Sequence, residues 1–214
     1  MKNVITIDGP SGSGKGTVSK LLAEKLGYDY LDTGALYRAV AWKVEEENIN
    51  PDNEDGLKSI LKKINITFNG NRIFVDGTDV SSAIRTAEIG ELSSQVSAKS
   101  VVRAGLFSIQ REMGLKGNVV IEGRDAGTAI FPESENKFYL DASLEERARR
   151  RYEELRHRGH EISLEKTIED IKKRDSRDAS RESSPLMKAD DMIYIDSTNL
   201  TIDEVVSEIL DKLT

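Results

Sequence analysis

Short apolar runs alternate with helical patterns along most of this sequence. Val119–Ile121 and Phe138–Leu140 are unbroken apolar runs and Val4–Ile7 is interrupted only by a threonine, which is typical of strands buried on both faces of a sheet. Apolar runs at 30–31 and 192–195 predict two further strands. Because buried strands separated by helices form a parallel sheet covered by those helices, the pattern predicts a three-layer α/β/α fold with a parallel central sheet.

Residues 65–80 break this alternation. Ile66–Phe68 and Ile73–Val75 flank an Asn-Gly pair, an arrangement that predicts a β-hairpin with a tight turn. We therefore interpret this segment as a local antiparallel insertion. The apolar spacing beyond it predicts two helices, near 86–97 and 99–114.

The composition narrows the class of protein. The 214 residues carry 31 Lys and Arg against 38 Asp and Glu, a net charge of −7, and the length predicts one domain with insertions. A protein that coats nucleic acid or anionic lipid needs a broad basic surface, so neither partner is expected. The sequence has no cysteine, and no apolar run approaches the roughly 18 residues of a membrane span. A cytoplasmic monomer is expected.

The arginines are concentrated in one part of the chain. Nine of the 15 lie between Arg147 and Arg181, and residues 145–182 hold 12 basic and 11 acidic side chains. Such a stretch forms either a solvent-exposed helical surface with ion pairs or a local site for a small, highly charged anion. The charge run alone favours the exposed surface, and both interpretations stay open at this point.

A glycine-rich segment follows the first predicted strand and precedes the first helix. It fits the G-x-x-x-x-G-K pattern of phosphate-binding loops, in which backbone N–H groups and a helix N-terminus surround phosphate oxygens. Lys15 is expected to reach the β- and γ-phosphates of ATP. The predicted ATP-binding residues are Gly9, Pro10, Ser11, Gly12, Ser13, Gly14, Lys15, Gly16 and Thr17.

The residue after Lys15 departs from the usual pattern. Gly16 stands where P-loops commonly place a Ser or Thr hydroxyl for Mg²⁺, and Thr17 comes one residue later. No direct protein ligand for the metal is therefore predicted, and phosphates and waters would hold Mg²⁺ near Thr17 and Asp8. Asp8 either binds a magnesium-bound water or orients the loop.

Further motifs extend the pattern over essentially the whole chain. They are Ile7–Thr17, Leu31–Arg38, Ser94–Val96, Glu122–Asp125 with Gly127 and Thr128, and Arg174–Arg181. In these motifs the sequence resembles the bacterial cytidylate kinases, a group of P-loop nucleoside monophosphate kinases. The resemblance implies Mg²⁺-dependent transfer of the ATP γ-phosphoryl group to CMP or dCMP, which gives ADP and CDP or dCDP in pyrimidine metabolism.

The same resemblance implies how the chain is divided and what individual residues do. Arg38, Arg124 and Arg181 would bind the acceptor phosphate, Asp125 the cytosine amino group and Asp178 the ribose hydroxyls. The implied CMP-binding residues are Thr33, Tyr37, Arg38, Ser94, Arg103, Arg124, Asp125, Arg174, Asp178 and Arg181. The implied catalytic residues are Lys15, Arg124, Arg181, Arg151 and Arg158, with Arg147 as a further lid cation over the triphosphate. The implied segments are a monophosphate-binding insert over 62–95, a short helical lid over 148–163, and core over 1–61, 96–147 and 164–214.

Two other functions stay open on the sequence alone. A small-molecule P-loop kinase of the uridylate or shikimate type would share the glycine-rich loop, and the motif Glu122–Asp125 together with the antiparallel insert argues against it. A P-loop ATPase that regulates a partner would need a residue that positions water and a partner surface, and neither is evident in the sequence.

Overall fold

The computed structural model describes residues 1, 3–70, 72–157, 159 and 161–214. The strands are β1 Val4–Asp8, β2 Asp29–Asp32, β3 Ile66–Asn69, β4 Arg72–Val75, β5 Thr78–Asp79, β6 Val119–Gly123, β7 Asn136–Asp141 and β8 Ile193–Asp196. The helices are α1 Lys15–Leu26, α2 Thr33–Glu46, α3 Glu54–Lys63, α4 Ala87–Ser97, α5 Ser100–Gly114, α6 Leu144–His157, α7 Leu164–Ser180 and α8 Ile202–Asp211.

The chain divides into two units. The first, here the sheet unit, comprises Met1–Leu31 and Met113–Thr214, and the second, here the helical unit, comprises Asp32–Glu112. These two units are defined by backbone contacts alone and do not test the functional segments expected at 62–95 and 148–163, which stay predictions.

A five-stranded sheet forms the centre of the sheet unit, with strand order β2-β6-β1-β7-β8. The pairings of β1 with β6, of β1 with β7 and of β7 with β8 are parallel. Asp8 at the end of β1 is in register with Gly123 of β6 and with Tyr139 of β7. The segments that follow β1 and β6 therefore begin next to each other, at the edge where α/β sheets bind ligands.

The core of this unit packs helices against the sheet. Val18 and Leu22 of α1 and Val206 of α8 belong to one buried cluster with Ile7 and Phe138 of the sheet. Burying such apolar side chains contributes about 1.5–3 kcal/mol each. Helix α8 begins at a capping box, in which the Thr201 side chain and the Glu204 carboxylate each accept a backbone N–H bond from the other residue. The predicted α/β fold with a parallel central sheet is confirmed.

The helical unit contains the predicted antiparallel segment. Strands β3, β4 and β5 form a separate antiparallel sheet. Asn69 pairs with Arg72, so the first turn lies one residue later than the Asn-Gly pair alone indicates. The second turn has φ angles of 50° at Asp76 and 83° at Gly77, as a mirror-image hairpin turn requires. Helices α4 and α5 begin and end within one residue of the predicted bounds.

Within the described part of the chain, we find no helix with both the length and the apolar character needed to cross a bilayer.

Candidate active site

The glycine-rich loop joins the end of β1 to the start of α1. A Cβ atom at Gly12 would lie 2.6 Å from the carbonyl oxygen of Arg147, so no larger residue fits there. Gly12 and Gly14 have φ angles of 79° and 87°, in the left-handed region that favours glycine. Gly14 is also the N-cap of α1, so no side chain caps the N–H groups of the first turn. The first N–H groups of α1 therefore form a ready anion-binding site.

Lys15 is the first residue of α1 and is buried. Its Nζ donates a hydrogen bond of 2.9 Å to the carbonyl oxygen of Pro10, across the loop. Burial, reinforced by the positive charge of Arg124, lowers the pKa of Lys15 to about 7. A phosphate group bound in the loop would supply the negative charge that favours the protonated lysine.

Two arginines of α6 hold the carbonyl side of the loop. Arg147 donates to the carbonyl oxygen of Ser11 at 3.0 Å, and Arg150 donates to that of Ser13 at 3.3 Å. Asp175 accepts bonds from Arg147 at 2.5 Å and from the Ser11 N–H at 3.3 Å. These bonds hold the buried Arg147 side chain against the loop from α6, and the lid role over the triphosphate implied for it stays a prediction.

The other arginines of α6 differ from these two. Arg149 is exposed and pairs with Glu146 at 2.7 Å, so the ion-paired surface interpretation is right for this side chain. Arg151 pairs with Glu154 of its own helix, also at 2.7 Å. Arg158 lies outside the described residues. The catalytic roles implied for Arg151 and Arg158 stay predictions.

Four of the expected CMP-binding residues meet in what we call the arginine–aspartate cluster, which consists of Arg124, Asp125, Asp178 and Arg181. Arg124 Nε donates to Asp178 at 2.9 Å, and Arg181 lies 3.8 Å from the other oxygen of Asp178 and 3.5 Å from Asp125. Burial alone would raise the pKa of Asp178, but the charges of Arg124, Arg174 and Arg181 hold it below its usual value. The cluster thus keeps the buried Asp178 carboxylate ionised beside the arginine side chains.

Asp8 orients the segment that carries Asp125. One of its carboxylate oxygens accepts the N–H of Ala126 and the other that of Gly127, both at 2.8 Å. Burial raises the pKa of Asp8 to about 6, although these hydrogen bonds oppose the change. Both oxygens are bound to the backbone that follows Asp125, so Asp8 orients this segment, and its two alternative roles at the phosphate-binding loop stay predictions.

Glu122 is a site residue that the sequence reasoning did not assign. It lies at the end of β6, is 8% exposed, and accepts a 2.5 Å hydrogen bond from the hydroxyl of Tyr30. A Cβ atom at Gly16 would lie 3.0 Å from its Oε1. Two features of the sequence could have indicated this contact: position 16 has no side chain, and an acidic residue lies near the end of a central strand.

The helical unit holds five of the six other expected CMP-binding residues, Thr33, Tyr37, Arg38, Ser94 and Arg103, and the sixth, Arg174, lies in α7 of the sheet unit. Within this unit, the Arg103 guanidinium lies 5.3 Å from the centre of the Tyr37 ring. Thr33 begins α2 directly after its N-cap Asp32, and Ser94 is buried in α4. Burial alone would raise the pKa of Asp32, but the charges of Arg38 and Arg85 together hold it below its usual value. The ligand roles of the five residues stay predictions.

Phosphoryl transfer needs donors that fix a triphosphate and cations that neutralise the charge on the transferred group. The sheet unit places candidates for both at one edge of its sheet, in the loop with Lys15 and in the arginine–aspartate cluster. This fold and this site define a P-loop kinase.

Comparison with known proteins identifies the family within this class. The model of the family described as Cytidylate kinase matches residues 5–214. The chain is 50% identical to the cytidylate kinase of Geobacter sp. (strain M21) over 207 residues, which covers 95% of this chain and 89% of that protein. It is 46% identical to the cytidylate kinase of Bacillus subtilis (strain 168) over 213 residues, with 98% and 95% covered. The chain belongs to the cytidylate kinase family and is a phosphotransferase enzyme.

Solved structures agree on the fold. A protein from Eubacterium ventriosum ATCC 27560 superposes with a TM-score of 0.56 at 16% identity, with 98% of this chain and 97% of that chain covered. A gluconokinase from Sinorhizobium meliloti 1021 gives a TM-score of 0.50 at 15% identity, with 99% and 91% covered. At these identities the similarity concerns the fold alone.

Proposed function

We propose that this enzyme transfers the γ-phosphoryl group of ATP to CMP or dCMP, with Mg²⁺, and releases ADP and CDP or dCDP. One observation carries the proposal: Arg124 and Asp125 directly follow β6, whose last residue is in register with Asp8, where the glycine-rich loop begins. A site for the donor phosphates and a site for a charged, amino-bearing acceptor thereby share one edge of the sheet.

The donor end of this mechanism uses the loop and Lys15. The N–H groups at the start of α1 bind the phosphates, and Lys15 exchanges its bond to Pro10 for a bond to the β- and γ-phosphates. Arg147 and Arg150 keep the carbonyls of Ser11 and Ser13 engaged from α6, which holds the loop in its binding conformation. Preorganised donors of this kind stabilise developing charge without reorganising during the reaction.

The acceptor end uses the arginine–aspartate cluster. Arg124 and Arg181, with Arg174 nearby, bind the monophosphate, because a planar guanidinium pairs bidentately with phosphate and stays charged. The Asp125 carboxylate accepts from the cytosine amino group, and Asp178 accepts from the ribose hydroxyls. The CMP phosphate has a second pKa of about 6 and is itself the nucleophile, so the enzyme needs no general base.

The residues present fit a magnesium ion that arrives with ATP. Among the described residues no three acidic or histidine side chains converge into a metal site, so the phosphates would supply most of the ligands. When bound, Mg²⁺ neutralises charge on the β- and γ-phosphates. The loop would offer this ion or its waters two hydroxyls, that of Ser13, which is buried without a hydrogen-bond partner among the described residues, and that of the exposed Thr17.

Initial rates with a panel of acceptors test this proposal. Purified enzyme with Mg²⁺ and ATP is offered CMP, dCMP, UMP, AMP and shikimate, and ADP formation is followed. We expect CMP or dCMP to give the highest kcat/KM. Equal or faster reaction with UMP, AMP or shikimate would contradict the proposed specificity. ATP hydrolysis that is faster without an acceptor than with CMP would favour the regulatory ATPase instead.

A further inference from the structure

A short helical turn, Ala126–Ile130, begins directly after Asp125. The N–H of Ile130 donates to the carbonyl oxygen of Asp125 at 3.1 Å, which is the five-residue spacing of a π-helical turn. Single turns of this kind are frequent at functional sites. The first N–H groups of a helical turn have no partner inside it, so they need an acceptor from elsewhere.

Asp125 is the residue expected to cap this turn, and it does not do so. Aspartate is among the best N-cap residues, because its carboxylate accepts the N–H groups that follow it. Asp32 shows the usual arrangement at the start of α2, where it accepts the N–H of Ala35 at 2.9 Å. Asp125 is the N-cap of its turn, yet among the described residues its side chain makes no capping bond. Its carboxylate instead lies 3.5 Å from the Arg181 guanidinium.

Asp8 caps the turn in place of Asp125, from a position 118 residues before Ala126. Its two carboxylate oxygens accept the N–H groups of Ala126 and Gly127, both at 2.8 Å, and its side chain is fully buried. The two acids are close enough for the charge of Asp125 to contribute to the raised pKa of Asp8. One carboxylate therefore holds the backbone of the turn while the other faces the arginine–aspartate cluster.

Gly127 lets the turn rest directly on the sheet. A Cβ atom at Gly127 would lie 2.7 Å from Oγ1 of Thr6 and 2.8 Å from Cε of Met192. Thr6 is fully buried in β1, two residues before Asp8 and on the same face of the strand, and its branched side chain has little rotational freedom. A larger residue at position 127 would therefore move the N–H groups away from the Asp8 carboxylate.

We propose that Asp8 is a positioning residue for recognition of the acceptor base, because it caps the turn and so directs the Asp125 carboxylate to the cytosine amino group. This inference rests on the proposed function, in which Asp125 accepts from that amino group. Without the Asp8 carboxylate, the N–H groups of the turn would compete for the carboxylate of their own N-cap residue, Asp125. The enzyme would then lose the acceptor that distinguishes the amino group of cytosine from the carbonyl oxygen of uracil.

Acceptor selectivity tests this role. The values of kcat/KM for CMP and UMP are measured at pH 8, where Asp8, with a pKa of about 6, is ionised. Asp8→Asn replaces one acceptor oxygen with an NH₂ donor, which cannot accept a backbone N–H. We expect the CMP/UMP ratio to fall at least about fivefold, while kcat/KM for UMP changes less than about twofold. Equal losses with CMP and UMP would overturn the proposal in favour of a general structural role.

A double-mutant cycle shows whether Asp8 acts through Asp125. Asp8→Asn is combined with Asp125→Asn, and the CMP/UMP ratio is measured for every member of the cycle. Once Asp125 is replaced, we expect Asp8→Asn to change the ratio less than about twofold, because the side chain through which it acts is gone. Losses that multiply in the double variant would overturn the proposal. An Asp125→Asn variant that keeps the CMP preference would overturn it as well.

A second variant and a matched control complete the test. Gly127→Ala keeps both carboxylates and displaces the N–H groups, so we expect it to lower the CMP/UMP ratio as Asp8→Asn does. Thr6→Val changes the same buried face of β1 at a hydroxyl that has no hydrogen-bond partner among the described residues, so the ratio should stay within about twofold of wild type. An unchanged ratio in Gly127→Ala, or equal losses in Thr6→Val and Asp8→Asn, would contradict the proposal. Thermal unfolding verifies that each variant is folded, and Gly127→Ala decides the question if Asp8→Asn is not.

ATP affinity separates this role from one at the glycine-rich loop, which begins at the next residue, Gly9. Calorimetric titration of Asp8→Asn with ATP is expected to show a change of less than about threefold. Weakened ATP binding with an unchanged CMP/UMP ratio would overturn the proposal in favour of the loop. A wild-type enzyme without a CMP preference would contradict the proposed function. A wild-type preference that Asp125→Asn removes and Asp8→Asn retains would contradict this inference alone.

Discussion

The Arg147 guanidinium donates a 3.0 Å hydrogen bond to the backbone carbonyl of Ser11. This bond joins helix α6 to the glycine-rich loop, and the same guanidinium also binds Asp175 of α7. Movement of α6 would therefore act directly on the loop that binds the donor phosphates. The two helices of the arginine-dense stretch are part of the loop's support.

Arg147→Ala should weaken both the loop and the fold. The variant removes a buried side chain that donates to Ala142, Ser11 and Asp175, so we expect the free energy of unfolding to fall by about 2–4 kcal/mol. ATP affinity should also fall. Arg149→Ala, in the same helix but exposed, is the control and should change neither quantity appreciably. Urea unfolding and calorimetric titration with ATP measure both; similar effects of the two variants would contradict the support role of Arg147.

ATP binding should take up protons above neutral pH. Burial and Arg124 lower the pKa of Lys15 to about 7, so the free enzyme is mostly deprotonated there at pH 8, and bound phosphates restore the proton. Calorimetry in two buffers of different ionisation enthalpy should show uptake of up to about one proton at pH 8 and almost none at pH 6. Lys15→Met should abolish the uptake, and the exposed Lys20→Met should retain it. Release of protons at pH 8 would refute the assignment.

Stability should respond to pH through Asp8. Burial raises its pKa from 3.8 to about 6, so between these values the folded chain binds more protons than the unfolded chain and this group's contribution to stability falls as pH rises. A pKa difference of this size corresponds to about 3 kcal/mol. Asp8→Asn cannot titrate, so the wild-type chain should lose stability relative to it between pH 4 and pH 7. A constant difference in unfolding free energy across that range would contradict the raised pKa.

Asp125→Asn separates acceptor recognition from donor binding. Asparagine replaces the charged carboxylate, which accepts from the cytosine amino group, with a neutral amide that also carries an NH₂ donor. We therefore expect the ratio of kcat/KM for CMP over UMP to fall about tenfold or more. ATP affinity should change little. Asp55→Asn, a nearly fully exposed surface change, is the matched control. An unchanged CMP preference would remove Asp125 from the base-recognition role.

Much of the fold could be predicted because its signals are local. The buried strands, the hairpin and the capping box at Thr201 each depend on residues close together in the sequence. The phosphate-binding loop was also predictable, because its glycines and Lys15 form one continuous segment. The Asn-Gly pair alone does not show that Asn69 is the last residue of β3, because the register that sets the turn is a pairing between strands.

The parts that sequence reasoning missed depend on contacts between distant segments. Arg147 and Arg151 are one helical turn apart and chemically identical, and only the docking of α6 decides that Arg147 faces the loop. The contact of Glu122 with the position of Gly16 depends likewise on how β6 lies beside α1. The bonds of Asp8 to the backbone of Ala126 and Gly127 also join segments far apart in the sequence, and no local pattern indicates them.

Single-turnover phosphoryl transfer tests the central claim most directly. Excess enzyme is mixed with Mg²⁺ and radiolabelled ATP in the presence of CMP, dCMP or UMP, and the labelled products are resolved in time. The account predicts that CMP or dCMP receives the label fastest, with negligible release of inorganic phosphate. Labelled UDP formed as fast as CDP, or phosphate released faster than either nucleotide is labelled, would contradict it.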